Sequence, residues 1–210
     1  MDAELERRVG QRAAELASLL EQGDAAAIEP LCDPEFWERA GAEEFPELLE
    51  EAGRAVVLGV LGRRSLIRLL PESTLEGQWV DRDGELLLED QREFTMLDRV
   101  SLAEASPERI ERMQTKRRAE DAARRYVDSL QERDEVAAGA FFEPVFARAA
   151  DVDLLERLPF LRAAELIGSV GPRTLVRLEL EGGEQTVEYL WRDHDGSMAI
   201  VGARTFRRLD

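Results

Sequence analysis

The chain is written twice, and that duplication limits its fold more than any motif does. Asp24 recurs as Asp134, an offset of 134 − 24 = 110, which also pairs Leu20 with Leu130, Pro34 with Pro144, Phe36 with Phe146 and Ala40 with Ala150. Gly59, Gly62, Arg64, Leu66, Arg68 and Leu69 recur at 109 as Gly168, Gly171, Arg173, Leu175, Arg177 and Leu178. Glu76, Trp79, Asp81, Asp83, Gly84, Arg92 and Phe94 recur at 112 as Glu188, Trp191, Asp193, Asp195, Gly196, Arg204 and Phe206. Collinear runs with slips of one to three residues are what a duplicated domain leaves behind. Two repeats are therefore expected, 1–104 and 105–210. Each is of a size that can bury its own core, and 44% apolar content supplies the material.

Each repeat reads helices first, then strands. Glu4 to Gln22 carries a helical stripe of Leu5, Val9, Leu16, Leu19 and Leu20, closed by Gly23. Asp24 is placed to cap a short second helix. After Cys32 to Trp37 an extended or turn segment is expected, then a third helix over about 43–51 with a counterpart at Asp151 to Arg157. In the second repeat Ser106-Pro107 opens a helix running to about Glu132, whose first half serves as the connector. Four strands follow in each half, near 54–61, 64–70, 75–81 and 85–95, then 162–170, 173–181, 184–192 and 197–207.

A two-residue Gly182-Gly183 turn would set Arg177 opposite Glu188, and a turn centred on Glu72 would set Arg68 opposite Glu76. Both read as cross-strand ion pairs. Strand alternation then collects Ile67, Leu69, Leu75, Trp79, Leu86, Leu88, Asp90, Arg92 and Phe94 on one face. In the second copy it collects Val176, Leu178, Val187, Tyr189, Trp191, Ile200, Arg204 and Phe206. That aromatic-rich face is expected to pack on the helices. The other face is half apolar and wants a partner, the sheet of the other repeat.

Helix, short helix, Asp/Glu-Pro-x-Phe, helix, then an antiparallel sheet holding W-x-D-x-D-G and R-x-F resembles the nuclear transport factor 2-like superfamily, SnoaL-like domains included. The resemblance covers nearly all of both repeats. It implies an α+β fold of two tandem cones, each with helices packed on a curved sheet. The two sheets would pack as an internal pseudo-dimer, so that a monomer is sufficient. The superfamily hosts isomerases, dehydratases, epoxide hydrolases and non-catalytic binders, so fold does not carry function.

The chemistry available is sparse. Net charge is −17, a field that repels phosphate backbones and anionic lipid, so neither nucleic acid nor membrane is an expected partner. Apolar runs such as Ala55 to Leu61 are strand-length. An acidic N-terminus unlike a secretory signal makes the cytoplasm the expected location. Cys32 reads as a buried core thiol, since Phe142 takes its place in the second copy. His194, the sole histidine, reads as a solvated turn residue. The Asp-x-Asp-Gly stretches at 81–84 and 193–196 read as hairpin turns rather than calcium loops, because Trp79 and Trp191 stand at the first ligand position. No cofactor and no metal is expected.

Asp90 and Arg92 form the candidate catalytic pair, an acid lodged among Leu88, Trp79 and Phe94 acting as general base with Arg92 orienting it. Trp79, Phe94, Tyr189, Trp191, Arg204 and Phe206 are the candidate pocket lining. The leading expectation is a non-catalytic tandem protein that binds a small apolar ligand or a protein partner. The alternatives are a dehydratase, isomerase or hydrolase built on Asp90, and an acidic adaptor for a basic protein.

Overall fold

The computed structural model describes residues 2–51, 53–70, 73–96, 107–146 and 158–208. The fold is α+β, with two four-stranded antiparallel sheets that each carry their own helices. Two compact units result. One holds Met1–Glu93 together with Phe206–Asp210, and the other holds Phe94–Thr205.

In the first unit, α1 (Ala3–Gln22) begins where the Asp2 carboxylate accepts from the backbone N–H groups of Glu4 and Leu5. It ends at Gly23, left-handed at φ 70°. Its stripe of Val9, Ala13, Leu16, Ala17 and Leu20 is buried. Asp24 caps α2 (Ala25–Ile28) through the Ala27 N–H at 3.1 Å, and Asp134 does the same in the second unit through Ala137 at 2.9 Å. The segment from Trp37 to the third helix, expected to be extended or a turn, is helical instead. Asp33 caps α3 (Pro34–Phe36), and a π-helical turn over Trp37–Gly41 carries the chain into α4 (Ala42–Glu51). Gly41 permits that wide turn, because a Cβ there would lie 2.7 Å from the Trp37 ring.

Strands β1 (Arg54–Leu61), β2 (Arg64–Leu70), β3 (Ser73–Arg82) and β4 (Glu85–Phe94) pair in sequence order. In the second unit α5 (Pro107–Gln131) and α6 (Glu135–Gly139) precede β5 (Leu161–Val170), β6 (Arg173–Leu180), β7 (Gly183–His194) and β8 (Ser197–Phe206), again in sequence order. The third-helix counterpart expected at Asp151 to Arg157, and the join expected at 104/105, lie outside the described residues.

The tryptophan-bearing sheet face packs on the helices in both units. Ile67, Leu69, Leu75, Trp79, Leu86 and Leu88 share a buried core with Val9, Leu16, Leu20, Ile28 and Phe45. Val176, Leu178, Val187, Tyr189, Trp191 and Ile200 share another with Ala119, Ala123, Tyr126 and Leu130. Each indole N–H finds a hydroxyl inside its core, Trp79 donating to Ser65 at 2.9 Å and Trp191 to Thr174 at 2.8 Å.

The hairpin register differs from the sequence expectation by two residues. Glu76 stands opposite Leu66 and Glu188 opposite Leu175, while Arg68 and Arg177 face Thr74 and Thr186. The β6–β7 turn is Glu181-Gly182, one step earlier than the Gly-Gly dipeptide, since Leu180 pairs with Gly183. A two-residue slip keeps every side chain on its face, so the apolar pattern is satisfied by either register. The ion pairs change partners. Arg64 binds Glu76 and Arg173 binds Glu188 diagonally, with the carboxylate side chains only 6% and 4% exposed. Arg177 pairs instead with Glu165 on β5 at 2.6 Å.

Each sheet also gains a short edge partner. Val60 and Arg207 exchange two backbone hydrogen bonds of 2.8 Å, and Thr95 and Ser169 exchange bonds of 3.2 and 3.3 Å. These contacts are copies of one another, since 169 − 60 = 109 and 207 − 95 = 112. The registers of β1–β2 and β5–β6 shift just before, at Val57/Gly59 and Leu166/Gly168. Glycine is required after each bulge: a Cβ on Gly59 would sit 2.9 Å from the Arg207 carbonyl oxygen, and one on Gly168 would sit 2.9 Å from Phe94.

Candidate functional site

The repeated W-x-D-x-D-G motif is accounted for by structure. Asp83 and Gly84, and likewise Asp195 and Gly196, all have positive φ, the signature of a tight hairpin turn. The first aspartate accepts from the glycine N–H, Asp81 from Gly84 at 2.8 Å and Asp193 from Gly196 at 2.9 Å. The same aspartates take an arginine from the long helix of their unit, Arg8 to Asp81 at 3.2 Å and Arg118 to Asp193 at 2.6 Å. The Arg118 hydrogen bond and the Gly196 N–H hold the Asp193 carboxyl below its usual range. Arg8 and Arg118 are themselves a repeat pair (118 − 8 = 110), a signal the sequence held for this helix-to-hairpin clamp. Among the described residues no group of His, Cys, Asp or Glu is arranged to hold a metal ion.

Asp90 does not sit among apolar side chains. Its side chain is 42% exposed, 3.9 Å from Arg39 and 3.6 Å from Arg92, whose own side chain is 56% exposed. The carboxylate is a surface group between two guanidinium groups because β4 carries it past the end of the helix-covered core, whose last β4 member is Leu88. Arg204 is exposed as well. Phe94 and Phe206 are fully buried, but away from the tryptophans. Phe206 lies under the Arg64 guanidinium at 5.0 Å, and Phe94 under Arg173 at 5.1 Å, so each ring backs one of the Arg–Glu pairs. Of the candidate pocket residues, the structure brings together Tyr189 and Trp191 in the second unit, while Trp79 lies in the core of the first.

Cys32 is buried, and its thiol is pushed up to about 12 by burial and then by the charge of Glu29. A thiol so far from ionisation is no nucleophile at neutral pH.

The densest aromatic arrangement is in the second unit. α5 presents Tyr126 inward, β7 presents Tyr189 and Trp191 from alternate positions of one face, and the turn after α6 adds Phe141 and Phe142. The Tyr126 ring meets Tyr189, Phe141, Phe142 and Trp191 edge-on, at centroid distances of 5.1, 5.7, 5.9 and 6.3 Å. Phe146 stacks on Phe142 at 6.1 Å. The two tyrosine hydroxyls, both fully buried, lie 3.2 Å apart. Burial raises both phenol pKa values, so both stay protonated at neutral pH. Sequence reasoning puts Tyr126 near the buried side of its helix and Phe142 at the place of Cys32, but it does not gather Tyr126, Phe141 and Phe142 into one cluster, because they depart from the repeat. Their partners in the first copy are Leu16, Leu31 and Cys32, and that of Tyr189 is Gly77.

Compared with known protein-family models and with curated proteins, the sequence matches none.

Proposed function

We propose that this chain is a non-catalytic tandem binding protein whose second unit takes a small apolar molecule against the Tyr126–Tyr189–Trp191 cluster. Each unit is read here as a cone of the nuclear transport factor 2-like kind. The observation that carries the proposal is the divergence of the aromatic cluster from the repeat. Four positions that are leucine, leucine, cysteine and glycine in one copy are tyrosine and phenylalanine in the other, and Phe141 and Phe142 of that set are only partly buried. Aromatic walls with a small number of polar groups are the usual lining of a small-molecule site. The exposure of Asp90 and its two arginines favour binding over carboxylate catalysis.

The test is titration of the neutral dye N-phenyl-1-naphthylamine into the full chain, followed by its fluorescence. Saturable binding is expected, weakened about ten-fold by Phe142→Ala through lost apolar contact and untouched by Asp90→Asn. A linear, unsaturable signal would sink the reading. The net charge of −17 favours a second one, an adaptor for a basic protein. Such binding would weaken steeply with salt.

A further inference from the structure

The edge of the first sheet is closed by a short extended piece of this chain. β8 ends at Phe206, and from that residue on the chain belongs to the first unit. Three contacts hold it there. Val60 and Arg207 exchange two backbone hydrogen bonds, the Phe206 ring lies under Arg64, and the Arg207 guanidinium stands 4.0 Å from the Glu6 carboxylate. Glu6 is firmly held in that joint. Its side chain is only 4% exposed, and it accepts the Gly62 N–H at 2.9 Å, two residues beyond Val60.

The second unit repeats the joint with different chemistry. Thr95 pairs with Ser169, and the Phe94 ring lies under Arg173. The helix position equivalent to Glu6 is Lys116 (116 − 6 = 110), whose ammonium donates to the Thr95 hydroxyl at 3.1 Å. Backbone and ring contacts are thus common to the two edges, while the residue after the phenylalanine and its helix partner are not. Brought to the other edge, Arg207 would meet an ammonium group, and Thr95 would bring the shielded Glu6 carboxylate no cation.

We infer that the Glu6–Val60 edge is a docking site for an extended segment carrying Phe followed by Arg, and that a second copy of this chain supplies one by exchanging Phe206 to Arg208. The contacts do not require donor and acceptor to be one chain, and an exchanged segment makes in its partner the contacts it makes at home. Two copies that exchange reciprocally form a closed two-fold dimer and leave neither edge open. A short segment held by two backbone bonds and one ring is among the first parts of a fold to open, which gives the exchange its route. The inference is independent of the ligand-binding reading.

Reversed charges decide it. Within one native chain the high effective concentration favours closure at home, so the two-chain form should appear on refolding from urea and grow with protein concentration. In Glu6→Lys the edge rejects its own segment, and in Arg207→Glu the segment is rejected by its own edge. Each variant alone should sediment as a single chain. Mixed in equal amounts, each finds its complement only in the other, and a two-chain species should rise at least about ten-fold above either variant alone. Arg207→Glu changes a side chain that is 63% exposed, so it also serves a reading that leaves Glu6 intact. The peptide Arg-Thr-Phe-Arg-Arg-Leu-Asp, the sequence of residues 204–210, should slow exchange of the Val60 amide in that variant about ten-fold. The same peptide with alanine in place of phenylalanine should not.

A mixture of folded variants that stays single-chain would overturn the inference, as would a native chain that remains single up to about 1 mM. So would a two-chain species as abundant in each variant alone as in the mixture, since Glu6 would then not select Arg207. If Glu6→Lys does not fold, the peptide decides: failure to protect Val60, or equal protection without the phenylalanine, would overturn the inference.

Discussion

Arg64 and Arg173 each do two things with one guanidinium: they neutralise a buried glutamate and cover a phenylalanine ring. Removing such an arginine takes a guanidinium away from a carboxylate that is almost wholly shielded. Arg64→Met is therefore expected to cost about 3–5 kcal/mol by urea denaturation, and the double variant Arg64→Met/Glu76→Leu much less, because the buried charge goes too. Asp90→Asn, by contrast, should stay within about 0.5 kcal/mol of the native chain, as befits a surface group. Cys32 supplies a pH test. Its ordinary value is 9.0 and its folded value about 12, so above the ordinary value the unfolded chain sheds a proton that the folded chain retains. The contribution is fully present below the unfolded value and is lost as pH climbs from there toward the folded one. Between about pH 8 and about pH 10.5 the native chain should thus lose more stability than Cys32→Ala. Equal losses would show that the thiol is not shielded.

At the scale of elements, the two bulge glycines are the most sensitive backbone positions. Gly59→Ala and Gly168→Ala each push a methyl group into a backbone or Cβ atom that cannot swing away, and each should cost about 1–3 kcal/mol by chemical denaturation. Their recurrence at one offset was visible in the sequence, but their purpose was not, because a bulge is set by strands that meet only after folding. Faces were legible and partners were not, for the same reason. Period-two alternation of Leu75, Gly77 and Trp79 survives any even slip of register, whereas Arg177 meets Glu188 in one register only. The helix start at Asp24, and with it that at its repeat Asp134, was readable from local cap chemistry alone. The π-helical turn was not, since it depends on how Trp37 folds back over Gly41. The tyrosine pair was half legible. Tyr189 stood on its strand's core face and Tyr126 near the buried side of its helix, but nothing local linked two residues 63 positions apart.

For the whole molecule, the assignment of Phe206–Asp210 to the first unit means that this unit is built from two separate stretches of chain, while the second, Phe94–Thr205, is continuous. A chain ended after Thr205 should keep the Tyr126–Tyr189 core, yet lose the Val60–Arg207 bridge and the ring beneath Arg64. Hydrogen exchange is the direct measurement. The Val60 amide should exchange at least about ten-fold faster in the shortened chain, while amides of β6 keep their native rates. Unchanged protection at Val60 would show that the edge pairing contributes nothing. There is a consequence for biosynthesis. Residues up to Glu93 leave the ribosome first, and at about 5–20 residues per second Phe206 to Arg208 follow on the order of ten seconds later. Through that interval the Gly59 edge has no Arg207 beside it, so the nascent protein carries an open seam until that segment arrives to close it.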